Sequence, residues 1–405
     1  MKLLSLLGTG NYQPVTYAWG DHLYKTDLFP EALANWLNPS QMLVLLTAEA
    51  KRHKHWENLQ SRLSGKVNLI AVDIPSGKSE SELWEIFASL TGSLDENEEV
   101  VFDVTHAFRS LPILALLAAA YLRVARAIKL QSMLYGAYEA KDENNRAPVF
   151  DLTPFIKLLD WVTATDKFVK TGDARELAEL LKEAHRIQWV AKSRDERQNL
   201  PYQLNKLGST LADLSQALLL TRPYEVAAHA TALAQKLDAA AAETSRWAKP
   251  FEVLLKRTQV AYAPFAASSL AVQRNLVWWY IERQHFVQAL TLAREWLVSW
   301  VCIHLGKEEV RNRSVRDEVE RAINQAAALK RGLLIEEDDP LLLRLNAMAE
   351  FDALIKTWSK ISDLRNDVAH CGMRTQARPV NAIVNAVREV AESLNQLPLP
   401  DRESE

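Results

Sequence analysis

Arg365, Asn366 and His370 are the residues whose types and spacing best suit chemistry at an anionic centre. A guanidinium stabilises negative charge on oxygen, and an imidazole moves protons near neutral pH. All three lie in the run Ile361-Ser362-Asp363-Leu364-Arg365-Asn366-Asp367-Val368-Ala369-His370-Cys371-Gly372. Ile361, Leu364 and Val368 are spaced to form one apolar stripe of a helix. With Leu364 as the origin and a step of about 100° per residue, Asn366 and His370 fall near ~200° and ~240°. They share a face opposite the stripe, with Arg365 beside them at about 100° and long enough to reach across. The spacing therefore argues against His370 as a core residue and leaves a solvated face or a reactive one. Cys371 as a nucleophile with His370 as its base is disfavoured, because adjacent helical residues point about 100° apart. Gly372 is the expected helix stop.

A second set of polar residues occupies two turns near the N-terminus. Gly8-Thr9-Gly10-Asn11-Tyr12 follows an apolar run, and its glycines allow a ligand close to the backbone, with N–H groups suited to phosphate. It is not a dinucleotide fingerprint, because Gln13 stands where the third glycine belongs. A tight turn without ligand is the plain alternative. Asp103-Val104-Thr105-His106-Ala107-Phe108-Arg109-Ser110-Leu111-Pro112 gathers Thr105, His106, Arg109 and Ser110 before an apolar helix. Ser110 is the expected N-cap, Pro112 fits the first turn, and Arg109 can pair with phosphate through two nitrogens. A capped helix start with incidental polar residues is the alternative here.

The elements that must position these turns are legible. Near-continuous apolar runs at Leu3–Leu7, Met42–Thr47, Val67–Val72, Val100–Val104 and Lys129–Tyr135, with a weaker one at Val149–Leu152, predict strands buried on both faces. Helical patterns at 28–37, 52–63, 80–90 and 111–127 alternate with them, which predicts a parallel α/β sheet whose ligands bind at the strands' carboxyl ends. From Pro154 onward helical periodicity takes over, interrupted at Gly172, Pro201, Gly208, Pro223, Pro250, Pro264, Gly306, Gly332, Pro340 and Gly372. The polar patch Ser193 to Asn199 reads as a surface loop. The predicted fold class is thus α/β plus all-α. The divisions are an α/β domain at 1–157, a helical linker at 158–275 and a helical bundle at 276–405.

Bulk properties narrow the function. The chain has 405 residues, 48% hydrophobic and 24% charged, with a formal net charge of −3, which excludes a broad basic coat for duplex nucleic acid. Cys302 and Cys371 lie far apart with no metal-type spacing, as expected of a reduced cytoplasmic protein. The leucines after Met1-Lys2 are too few for a signal peptide, and the longest apolar run, Ile113 to Leu122, is about half a bilayer span, so no membrane segment is expected.

Asp103-Val104-Thr105-His106-Ala107 closely resembles the "DxTHG" motif of CRISPR-associated proteins that join a CARF sensor domain to a HEPN ribonuclease domain. Phe108 to Pro112, Gly8 to Tyr12 and Tyr135-Gly136-Ala137-Tyr138-Glu139-Ala140 resemble the same family; Ala107 departs from it by replacing the glycine. Arg365, four intervening residues and His370, with polar Asn366 after the arginine, resemble the HEPN signature, and the helix from Phe286 to Trp300 looks like a HEPN core helix.

The resemblance implies a Rossmann-like CARF domain, a helical linker and a HEPN bundle. It implies a cyclic oligoadenylate as allosteric activator, bound across a homodimer's two-fold axis by Gly8, Thr9, Gly10, Asn11, Tyr12, Thr105, His106, Arg109 and Ser110. It implies cleavage of single-stranded RNA without a metal, by attack of the 2′-hydroxyl on the adjacent phosphorus. Arg365 would stabilise the phosphoryl charge, His370 would handle the proton and Asn366 would position either one. Arg311, Arg313 and Arg316 are candidates for RNA phosphate contacts, a solvated face being the alternative. Some CARF domains also cleave their ligand slowly. Two competing readings are a CARF-type ligand-binding regulator without catalysis and a nicotinamide- or adenylate-dependent enzyme. The Arg365–His370 pair argues against the first and the incomplete glycine pattern against the second.

Overall fold

The computed structural model describes residues 1–106, 110–190, 201–333, 339–373 and 375–400. The chain divides into two compact units, Met1–Asp160 and Trp161–Glu405.

The first unit is built on β1 (Lys2–Leu7), β2 (Val15–Trp19), β3 (His22–Thr26), β4 (Gln41–Leu46), β5 (Asn68–Asp73), β6 (Glu99–Asp103), β7 (Lys129–Gly136) and β8 (Arg146–Asp151). They form one sheet in the order β3-β2-β8-β7-β6-β1-β4-β5, in which β5, β4, β1, β6 and β7 are parallel. The strand order reverses between β1 and β6, the place where open α/β sheets bind ligands. The helices are α1 (Phe29–Leu37), α2 (Ala48–Lys51), α3 (Lys54–Leu63), α4 (Glu80–Gly92) and α5 (Leu111–Ala125).

Alternation along buried strands decides which helix covers which face. Leu3, Leu7, Val44 and Val101 pack with Phe29 and Leu33 of α1 and Leu59 of α3. Leu4, Leu6, Leu45 and Phe102 pack on the opposite face with Ile86 of α4 and Ala115 and Leu122 of α5. The six predicted strands and four predicted helical stretches agree with this sheet. The hairpin β2–β3 was not predicted; Gly20, at φ +56°, begins its two-residue turn.

The second unit is helical: α6 (Thr153–Thr171, which starts before the division), α7 (Arg175–Val190), α8 (Tyr202–Leu219), α9 (Pro223–Trp247), α10 (Lys249–Tyr262), α11 (Leu270–Glu282), α12 (Phe286–His304), α13 (Arg313–Lys330), α14 (Pro340–Asn346), α15 (Phe351–Ala369) and α16 (Val380–Asn395). Gly208 is not the interruption expected from sequence. It lies inside α8, where an added Cβ would stand 2.9 Å from the carbonyl oxygen of Ala178, so its bare backbone lets α7 and α8 approach closely. Among the described residues, one helix, α12, is long and apolar enough to cross a membrane. Here it packs against α11, α13, α15 and α16, with Trp296, Leu297 and Trp300 fully buried. The Ser193–Asn199 patch lies outside the described residues.

Candidate functional site

At the carboxyl ends of the parallel strands a cavity of about 480 Å³ opens. The loop after β1 lines it with Gly8, Thr9, Gly10 and Tyr12, and the turn after β6 with Thr105 and His106. Thr47 and Glu49 enter from the end of β4, Ser76 and Lys78 from the end of β5. The two turns singled out in the sequence are therefore brought together. The four residues from β4 and β5 were missed, although the rule that ligands bind where parallel strands end points to both loops.

A ladder of rings supports the first loop. Tyr12 packs on His106 with centroids 4.0 Å apart and on His55 at 4.6 Å, and His53 extends the row at 4.2 Å from His55. The Gly8 N–H donates to the Tyr12 hydroxyl at 3.2 Å. Nε2 of His55 lies 2.7 Å from the Gly10 carbonyl oxygen. A carbonyl only accepts, so Nε2 carries the proton. Gly10 has little space of its own, since a Cβ there would meet the Tyr12 ring at 2.8 Å.

The Asp103–Thr105–His106 segment mainly holds backbone. Ser5 and Asp103 pair across β1 and β6, and the Ser5 hydroxyl donates to the carboxylate. Asp103 also accepts from the Thr105 N–H at 2.9 Å. Complete burial pushes its pKa up to about 6, against the pull of the Ser5 hydroxyl and of the Thr105 N–H and hydroxyl. The Thr105 hydroxyl oxygen accepts the Gly136 N–H at 2.8 Å, tying the turn to β7. His106 was expected to be a donor toward the ligand. Its Nε2 accepts the N–H of Phe29 at 3.1 Å, which leaves Nδ1–H as the ring's donor, and burial, aided by His55, lowers its pKa to about 3. The imidazole that lines the cavity is therefore neutral.

Of the other residues expected there, Asn11 is exposed and accepts from Gln13. Ser110 precedes α5 as its N-cap, but its side chain makes no capping bond; its carbonyl receives the N–H groups of Ile113 and Leu114. Arg109, with Ala107 and Phe108, lies outside the described residues.

In the second unit Arg365, Asn366 and His370 are all exposed at the end of α15, while Ile361 and Leu364 are buried and Val368 half-buried. The stripe and the polar face thus fall as their spacing requires. The helix ends differently from expectation. His370 is the C-cap, with its N–H directed to the Asn366 carbonyl at 3.3 Å. Cys371 already adopts φ +51°, before Gly372 at φ +71°. A non-glycine residue in that region costs about 1–2 kcal/mol. The Met373 N–H closes the turn onto the His370 carbonyl at 2.8 Å.

The three arginines have separate roles. Arg316 donates to the Ser299 hydroxyl at 2.9 Å and the Val310 carbonyl at 3.0 Å, and pairs with Glu295 at 2.8 Å. It braces α12 against α13. Arg311 stacks over the Tyr224 ring at 4.4 Å, and Arg313, nearly fully exposed, lies 3.7 Å from Asp317.

A doubly wound sheet with a cavity at its switch point, followed by an all-helical unit, defines a Rossmann-like domain joined to a helical one. Residues 2–139 match the family described as "CRISPR system endoribonuclease Csx1, CARF domain", and residues 157–263 match "CRISPR-associated protein MJ1674, second domain". The N-terminal unit is a CARF domain, and the chain is similar to CRISPR-associated proteins. One such relative is the CRISPR-associated protein MJ1674 of Methanocaldococcus jannaschii, 30% identical over 111 residues. That alignment spans 27% of this chain and 18% of the relative.

Proposed function

We propose that the protein is a ribonuclease of type III CRISPR defence, switched on when its CARF domain binds a cyclic oligoadenylate. The carrying observation is the common exposure of Arg365, Asn366 and His370 at one end of α15, anchored by the buried Ile361 and Leu364. The bundle at 276–405 is the HEPN nuclease in this reading, and 158–275 the linker. The RNA 2′-hydroxyl attacks the adjacent phosphorus, giving a 2′,3′-cyclic phosphate and a 5′-hydroxyl. Arg365 holds the phosphoryl oxygens, His370 handles the proton and Asn366 orients one of them. No step calls for a metal ion.

The working unit is a cytoplasmic homodimer. Ile113, Leu117, Tyr121 and Val124 form an exposed apolar row on α5, whose other face buries Ala115, Ala119 and Leu122. A helix apolar on both sides needs a second cover, and a second copy supplies it with two-fold symmetry. Two cavities related by that axis suit a symmetric phosphate ring, with Lys78 and the loop after β1 facing it.

The test incubates purified protein with labelled single-stranded RNA, with and without cyclic tetra- or hexa-adenylate. Cleavage should require the ring and vanish in Arg365→Ala and His370→Ala, both of which still bind it. Cleavage by His370→Ala at the wild-type rate defeats the assignment. Ring binding with no cleavage by the wild type makes the chain a regulator.

A further inference from the structure

Two adjoining cavities in the helical unit, of about 500 and 320 Å³, share Tyr224, Gln273, Ser299 and Arg311 and so form one cleft. Each volume lies in the range of small-ligand sites. Its floor is apolar, from Leu270, Ile303 and Val310 in the larger part and Leu292 in the smaller. At its centre the Arg311 guanidinium lies over the Tyr224 ring, 4.4 Å from its centroid, as a cation–π pair. Arg311 is otherwise exposed.

The cleft lies toward the same end of the bundle as His370. Trp358 of α15 donates to Asn324 of α13 at 2.9 Å, and Lys330 of α13 pairs with Asp352 of α15. Going forward along α13 means going backward along α15, so the two helices are antiparallel. The start of α13, where Arg311 and the N-cap Asn312 line the cleft, therefore runs toward the end of α15.

We propose that this cleft is a base-binding subsite for single-stranded RNA, with Tyr224 and Arg311 as its stacking platform and a preference for bases bearing an exocyclic amino group. The inference rests on the ribonuclease reading. Single-stranded RNA is held by stacking on aromatic rings and guanidinium planes. Charge selects what enters. Glu308 and Glu309 line the larger cavity, whereas Glu225 and Glu295 line the smaller beside Arg222 and Arg316; the carboxylates of the larger part repel phosphate but accept from base amino groups. A base therefore enters the larger part while its phosphate stays outside that part, and uracil, lacking the amino group, binds less well.

The probe is a fluorescent oligoadenylate of about ten nucleotides with 2′-O-methyl riboses, which cannot be cleaved, titrated against the full chain beside its oligouridylate counterpart. Oligoadenylate should bind several-fold more tightly. Arg311→Ala and Tyr224→Ala should each weaken it about tenfold, Tyr224→Phe less than about twofold, and Glu308→Gln should narrow the preference over oligouridylate. Wild-type cleavage of unmodified RNA is measured in parallel. Unchanged oligoadenylate binding by Arg311→Ala, an exposed position that tolerates truncation, overturns the subsite. If the variants lose binding but no condition gives cleavage, the ribonuclease reading falls and the subsite stands.

Discussion

The Phe29 N–H donates to Nε2 of His106 across 3.1 Å, which requires that nitrogen to be unprotonated. This bond joins the start of α1 to the turn after β6, so the floor of the CARF cavity depends on an imidazole staying neutral.

A pH prediction follows from His106 and Asp103 together. The His106 pKa falls from 6.5 to about 3, so in that window the unfolded chain holds a proton that the folded one lacks, and stability drops as pH falls. The Asp103 pKa rises from 3.8 to about 6, so the folded chain holds the extra proton and stability grows as pH falls. Each slope is about 1.4 kcal/mol per pH unit, and between about pH 4 and 6 they oppose one another. Hydrogen exchange at the Leu4 and Leu6 amides of β1 reads this unit alone. Asp103→Asn should leave those amides less protected as pH falls from 6 to 4, and His106→Asn more protected, after correction for intrinsic exchange. Wild-type pH profiles in both variants would remove this account.

Lys78 is the cation that the end of β5 brings to the CARF cavity. Lys78→Ala should weaken cyclic oligoadenylate binding about five- to tenfold at low salt, with the deficit shrinking as salt screens the charge. Glu49→Gln should strengthen binding by a similar factor, since a carboxylate on the opposite loop repels phosphate. Calorimetric titration at two salt concentrations checks both. A salt-independent affinity shared by all three proteins would place the phosphates elsewhere.

The parallel strands were legible because burial on both faces leaves uninterrupted runs such as Leu43-Val44-Leu45-Leu46. The edge hairpin β2–β3 was not, because His22 and Leu23 are exposed and polar residues interrupt the pattern. The α15 stripe could be read because Ile361 and Leu364 keep helical period. The role of His106 could not, since its partner Phe29 lies in another element and a sequence does not reveal whether a histidine nitrogen donates or accepts. Lys78 and Ser76 lie on a loop that the rule for parallel strands points to, but which of its residues line the cavity is set by the strand order. Arg316 looked equivalent to Arg313, and only packing separates them.

That separation is testable. Arg316 is about one-fifth exposed and braces Ser299, Val310 and Glu295, whereas Arg313 is nearly fully exposed. Arg316→Ala should destabilise the helical unit by about 1–3 kcal/mol, because it leaves acceptors unpaired near α12. Arg313→Ala should change stability by less than about 0.5 kcal/mol. Urea midpoints followed by far-ultraviolet circular dichroism distinguish the two. Equal effects would mean that Arg316 braces nothing.

Gly208 gives the last prediction, one in which helix propensity and packing disagree. In the interior of α8 a glycine-to-alanine change should gain up to about 1 kcal/mol from backbone entropy. Here the new methyl would lie 2.9 Å from the Ala178 carbonyl oxygen, 3.3 Å from Lys182 Cγ and 3.4 Å from Leu181 Cβ. Lys182 can swing away, but the carbonyl belongs to the backbone of α7 and moves only if the helices part. Overpacking of that kind costs about 1–3 kcal/mol and outweighs the propensity gain. Gly208→Ala should therefore lower the melting temperature of the helical unit. Gly92→Ala is the control, because α4 ends there and a Cβ at that position meets nothing within 4 Å. It should be neutral or slightly stabilising. A Gly208→Ala protein that melts higher than wild type would mean that α7 and α8 are not in the close contact that bare glycine permits.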